Sequence, residues 1–105
     1  MYSRVTLVEI DLVRSSLEEA LDLFKQNVVP GLREQEGFEG TVVMATPEGK
    51  GLIVTLWETP EAAESQAETG FYSDVLAEFV TLFRAPPGRE SYEVLYADVP
   101  TVSVT

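Results

Sequence analysis

Apolar residues along this chain follow two rhythms. In four short stretches they occupy both alternating positions, and between those stretches they recur every three or four residues. Residues 4–10 place Val5 and Leu7 on one side and Val8 and Ile10 on the other. Residues 41–45 oppose Val43 and Ala45 to Val42 and Met44, and residues 52–57 oppose Ile53 and Trp57 to Leu52, Val54 and Leu56. Residues 92–97, from Tyr92 to Ala97, form the fourth stretch. Successive strand residues point to opposite faces, and a sheet with one wet face alternates apolar with polar. The pattern predicts four strands in a sheet that is apolar on both faces.

The helical rhythm fills the gaps. Ser16-Leu17-Glu18-Glu19 has the form of a capping box, and Leu17, Ala20, Leu21, Phe24 and Val28 then make one apolar stripe. Pro30 removes a helical hydrogen bond, which predicts a break near Val29; Leu32 resumes the stripe and Gly37 is the expected stop. Pro47, Gly49 and Gly51 mark a hairpin loop between the second and third strands. Thr59 followed by Pro60 starts the next helix, which is expected to stop before Gly70. Ser73-Asp74 caps a further segment carrying Val75, Leu76, Phe79, Leu82 and Phe83, ended by Pro86-Pro87-Gly88.

The resulting order is β-α-β-β-α-β with the second helix broken in two. This α+β pattern predicts one ferredoxin-like domain over residues 1–105, an antiparallel four-stranded sheet with both helices on one side. The residues from Val99 to Thr105 alternate Val with polar residues around Pro100. They either add an edge strand to a partner or fray.

Helices cover one sheet face only. The other keeps roughly eight apolar side chains, and leaving them wet forgoes about 12–24 kcal/mol at about 1.5–3 kcal/mol each. A whole domain is stable by only about 5–15 kcal/mol. A second copy packed face to face about a two-fold axis covers both surfaces at once, so a homodimer burying about 1,600 Å² or more is expected.

Composition then narrows the chemistry. The 105 residues carry 18 acidic and 7 basic side chains, a formal net charge of -11, and no two basic residues are adjacent. Nucleic acid and anionic membrane, which need clustered Lys and Arg, are expected to be poor partners. No 18-residue apolar run is present, and Arg4 and Glu9 interrupt the N-terminal apolar stretch, so the expected location is the cytoplasm. The chain has neither Cys nor His. Thiolate nucleophiles, zinc sites of the Cys/His type, Ser-His-Asp triads and His-ligated haem are excluded. The carboxylates fit exposed helix faces without a pair that stands out as a metal site. Glu9 and Glu93, within predicted strands, are the ones whose surroundings would matter.

Two short motifs carry a family resemblance. Pro30-Gly31-Leu32-Arg33-Glu34-Gln35-Glu36-Gly37-Phe38 resembles the helix end before the second strand in the antibiotic biosynthesis monooxygenase-like group of the dimeric α/β-barrel superfamily. Leu56-Trp57-Glu58-Thr59-Pro60-Glu61-Ala62 is similar to that group's strand-Trp-helix junction. The resemblance implies two ferredoxin-like subunits sharing a barrel, with a pocket in each between sheet and helices. It also marks departures. Gln66 stands where haem-degrading members carry an iron-ligating His, and Ile53 where quinone-forming members carry an Asn.

On that resemblance the expected activity is a cofactor-independent monooxygenase acting on an aromatic or polycyclic phenol, with no metal. Trp57, Tyr72 and Gln66 are the candidate catalytic residues. Trp57 either stacks on a planar substrate or plugs the core; Tyr72 either donates to a carbonyl or packs with its hydroxyl in water; Gln66 either orients a ligand or lies on the surface. Phe24, Asn27, Phe71 and Phe79 are candidate substrate-binding residues. For the phenylalanines, with Phe83, the alternative is core; for Asn27 it is an exposed helix amide. Arg33 and Arg84 either meet an anion or pair with surface carboxylates. The alternative function is a non-catalytic dimer that binds an apolar metabolite, or a purely structural one. Sedimentation at micromolar concentration is expected to return about twice the chain mass, and a stable soluble monomer would contradict the two-faced reading of the sheet.

Overall fold

The computed structural model describes residues 1–69, 74, 77 and 79–100, with side chains for all of these except 66–69 and 80. Its elements run β1 (Tyr2–Glu9), α1 (Leu17–Asn27), α2 (Val29–Arg33), β2 (Phe38–Ala45), β3 (Lys50–Trp57), α3 (Pro60–Thr69), a 3-10 turn (Val80–Leu82) and β4 (Gly88–Glu93). The strands pair antiparallel in the order β2-β3-β1-β4. This is the expected α+β, ferredoxin-like sheet.

Local chemistry accounts for the boundaries. The Ser16 hydroxyl accepts from the Glu19 N–H at 3.1 Å and caps α1, while the Glu19 carboxylate accepts from the Ser15 hydroxyl at 3.2 Å. Pro30 sits in the first turn of α2, and Val28 ends one helix and begins the next, so the break falls one residue before the expected point. The Thr59 hydroxyl accepts from the Ala62 N–H at 3.1 Å and caps α3. Of the segment expected from Ser73 to Phe83, residues 73, 75, 76 and 78 lie outside the described residues; Asp74, Ala77 and Phe79 are helical.

Side chains of directly paired residues share a face. One face carries Tyr2, Trp57, Phe38 and Ile53, which pack with residues of α1, α2 and α3 around the buried Leu32, Phe24, Val28 and Ala63. Arg4, on the same face, donates to the Ala63 carbonyl of α3 at 3.0 Å. Among the described residues, no helix packs on the opposite face. There the register aligns Val5 with Val54 and Leu7 with Leu52, and extends the row to Val42 and Met44 on β2. Leu7, Val42 and Met44 remain exposed, while Val5, Leu52, Val54 and Leu56 are half-buried by their neighbours. Covering this face therefore gains nearer half of the sequence-based figure, roughly 6–12 kcal/mol, which is still of the order of a domain's net stability.

The fourth strand differs from expectation. It spans Gly88–Glu93 rather than residues 92–97. Its residues run alongside β1 from Leu7↔Gly88 to Tyr2↔Glu93, and the Val94 N–H still donates to the Met1 carbonyl at 3.0 Å. The strand stops where β1 stops, because a strand needs a partner backbone more than it needs apolar side chains. Its helix-free face holds Glu90 and Tyr92, not a row of aliphatics. The Tyr92 hydroxyl donates to the Glu90 carboxylate, and chiefly that bond holds the phenol above its ordinary pKa, with some loss of solvation and the Glu90 charge adding to it. The apolar residues expected in the strand, Leu95 and Tyr96, are exposed beyond its end.

The β2–β3 hairpin is closed by Thr46, whose N–H donates to the Lys50 carbonyl at 2.8 Å and whose carbonyl accepts from Gly49 at 3.0 Å. Gly49 has φ +95, a conformation that a side chain opposes, and a Cβ there would lie 2.7 Å from the Ile10 carbonyl oxygen. Its own carbonyl accepts from the Ile10 N–H at 2.8 Å, fastening the hairpin to the end of β1. Gly49→Ala is expected to lower unfolding stability by about 2 kcal/mol or more through backbone strain and displacement of Ile10. Chemical denaturation would show this; an unchanged midpoint would mean that the contact does not constrain the loop.

Candidate functional site

A cavity of about 230 Å³ lies between α1 and the helix-covered face of the sheet, at the hairpin end. Leu17, Ala20, Leu21 and Phe24 of α1 form one wall. Val8 of β1 and Ile10 just beyond it, with Val43 and Ile53 from β2 and β3, form the floor, and Phe79 and Phe83 close one side. The sequence makes this space in a simple way. Ala20 is small where the stripe faces the sheet, and Gly51 leaves no side chain beside Val8, where a Cβ would come within 3.0 Å of a Val8 methyl. Glycine inside a strand often marks close approach or open room.

The walls are held by backbone contacts. Ile10 bridges to Phe83, the Asp11 N–H donates to the Leu82 carbonyl at 2.8 Å, and the Arg84 N–H donates to the Glu9 carbonyl at 2.7 Å. Phe79 and Phe83 stack with centroids 6.2 Å apart and planes at 21°. Among the described residues, every side chain lining the cavity is aliphatic or aromatic. It can therefore hold and desolvate an apolar ring, which is how most small-molecule sites work. No group of three or more acidic side chains among the described residues could hold a metal ion.

Phe24 and Phe79 are both buried and both line the cavity. Asn27 is exposed at the last position of α1 and does not line it, because the helical stripe that faces the sheet runs through Phe24 and Val28 instead. Tyr72, Phe71 and the Gln66 side chain lie outside the described residues. Arg33 and Arg84 are exposed, as is Glu93, while Glu9 is half-buried.

Trp57 is wholly buried at the other end of the helix-covered face. It packs in the core cluster with Leu32, Ala63, Phe24 and Phe79, and Phe38 meets it edge-on at 5.3 Å. Its ring N–H donates to the Thr55 hydroxyl at 2.9 Å, and that hydroxyl in turn donates to the Arg4 carbonyl at 3.5 Å. The indole is not among the residues lining the cavity. Thr55 is the residue that sequence reasoning passed over. Its signal was a Thr two positions before the Trp, on the same strand face, where a buried indole N–H needs a partner.

A family model described as antibiotic biosynthesis monooxygenase matches residues 4–70. No curated protein sequence matches the chain. Among solved structures, a protein of unknown function from Nitrosomonas europaea superposes with a TM-score of 0.73 at 17% identity, over 95% of this chain and 94% of its own. The ActVA-Orf6 monooxygenase of Streptomyces coelicolor, solved with nanaomycin D, gives 0.73 at 20% identity, over 95% and 92%. The cofactor-independent oxygenase SnoaB of Streptomyces nogalater gives 0.75 at 9% identity, over 91% and 94%. At these identities the structural likenesses establish the fold.

Thr55→Val is expected to strand the Trp57 N–H and lower stability by about 1–3 kcal/mol, with a shift in the emission of this sole tryptophan. Thr55→Ser should restore most of both. Equal stability of all three proteins would remove the hydroxyl from the account of Trp57.

Proposed function

The chain belongs to the antibiotic biosynthesis monooxygenase family, and from that premise we propose that it oxygenates a compact aromatic phenol without a cofactor, in the cavity between α1 and the sheet. The observation that carries this reading is the cavity itself, dry-walled and about 230 Å³ in volume. That lies just below the range of about 300–1,000 Å³ usual for small-molecule sites. Its size favours one or two fused rings over an extended polycycle. A fold neighbour named as a cofactor-independent oxygenase and another solved with nanaomycin D support the same class of chemistry.

In this reaction the substrate supplies its own electrons. A phenol with an activated ring CH₂ loses a proton, and the resulting carbanion reduces dioxygen and forms a carbon–oxygen bond. Protonation gives a hydroperoxide, which loses water to leave the quinone carbonyl. Carbon is oxidised, one oxygen atom stays, and the other departs as water with the two hydrogens. The chain contributes position, exclusion of water and hydrogen bonds to the developing anion. Tyr72 and Gln66 are proposed as the polar contacts to the phenolate oxygen. Trp57 is proposed to act through packing, keeping Phe24 and Phe79 in place from behind.

We also propose that two copies pair through the helix-free face. Val5, Leu7, Val42, Met44, Leu52, Val54 and Leu56 form a continuous apolar surface there, apt for an isologous contact. A second reading is a dimer that binds an apolar metabolite without turning it over. It is favoured by the lack of any polar side chain among the described lining residues.

Oxygen uptake with a panel of naphthols and anthrone-like phenols separates the two. Turnover is expected, and it should fall at least tenfold in Ala20→Phe, which fills the cavity, and severalfold in Tyr72→Phe. Tight binding without oxygen uptake across the panel would establish the second reading. Turnover unaffected by Ala20→Phe would place the chemistry elsewhere.

A further inference from the structure

We infer that residues 94–99 of one copy dock in a groove on the helix-free face of the other, and that this contact backs the wall of the ligand cavity. The inference builds on the proposed pairing of two copies. The groove, about 580 Å³, lies at the hairpin end of the sheet and is lined chiefly by Leu7, Met44, Leu52, Pro86 and Gly88, with Lys50 at its rim. Among the described residues, none of the same chain fills it.

The segment that suits it is apolar and bare. Leu95 is 88% exposed, Tyr96 82% and Val99 73%. These residues cannot reach their own groove by continuing along β4. Gly88 sits beside Leu7 at the groove, whereas Glu93 sits beside Tyr2 at the opposite end of the sheet. The segment leaves from there, roughly 17–20 Å away at about 3.3 Å per strand residue, and heads outward. Their exposure shows that they do not fold back.

A two-fold axis in the plane of the face-to-face contact, running across the strands, reverses one sheet relative to the other. Each outgoing segment then arrives beside the partner's hairpin end. Apolar side chains meet an apolar groove, and Asp98 approaches Lys50, a cation on a chain of net charge -11.

The groove and the ligand cavity lie on opposite faces of the same thin strip of sheet. Met44, Gly51 and Leu52 line both. Gly51 has no side chain to thicken the sheet between them, so whatever presses on Met44 and Leu52 from outside sets the rear wall of the cavity. The site is then complete only in the pair.

The chain has no cysteine, which makes a cross-link test clean. In full-length protein carrying Met44→Cys and Leu95→Cys, oxidation is expected to give a covalent dimer on a non-reducing gel. Leu56→Cys with Leu95→Cys, at the strand end where the segment departs, should give none. A disulfide within one chain, free thiols in an intact dimer, or a dimer linked only through Leu56→Cys would each overturn the docking. Affinity for 1-naphthol, read by its fluorescence, should fall at least threefold in Leu95→Asp. Unchanged affinity would overturn the shared wall. The cross-link forms or fails whether or not any phenol is oxidised, so its failure is distinct from failure of the proposed activity.

Discussion

A four-stranded sheet with apolar side chains on both faces governs this molecule. On one face the problem is solved within the chain: α1, α2 and α3 bury Trp57, Ile53 and Phe38 against Leu32, Phe24 and Ala63. On the other, Leu7, Val42 and Met44 stay exposed around half-buried Val5, Val54 and Leu56. Hydrophobic burial is non-directional and scales with area, so the first face determines how the chain folds and the second is the surface offered to the proposed pairing. Neither demand can be met by changing the other, since each strand residue serves one face only.

The cavity follows from the same constraint. Helices on a twisted sheet rarely fit everywhere, and here the misfit is concentrated at the hairpin end. Ala20 and Gly51 supply too little volume there to fill the space beneath Phe79 and Phe83. The other end is packed solid around Trp57, whose polar N–H is satisfied internally by Thr55. The two ends thus divide the work. A fully satisfied indole stiffens one, and the other keeps an apolar void of a size for a compact aromatic ring.

Oxygen chemistry in such a void is limited by what its walls lack. The chain has no thiol or imidazole, and under the proposed function the electrons and the acidic proton come from the substrate. A dry enclosure favours that route because water competes poorly for a carbanion it cannot reach. The chain belongs to the antibiotic biosynthesis monooxygenase family, and in the proposed reaction the narrow cavity would restrict the ligands taken.

Periodicity alone determined the order of elements, the break at Pro30, the caps at Ser16 and Thr59 and the two-faced sheet, because these depend on neighbours within a few residues. It also picked out Phe24 and Phe79, which a helical stripe must turn toward the sheet. Three features were decided only by tertiary structure. The last strand lies at Gly88–Glu93, a polar run, because backbone pairing with β1 outweighs the apolar rhythm of residues 92–97. Asn27 faces outward because the helix phase is set by the whole stripe. Trp57 is enclosed and hydrogen-bonded to Thr55 rather than open to the cavity, since where two helices leave a gap over a sheet depends on side-chain volumes from β1, β3, α1 and the segment around Phe79 at once. No single stretch of sequence contains that sum.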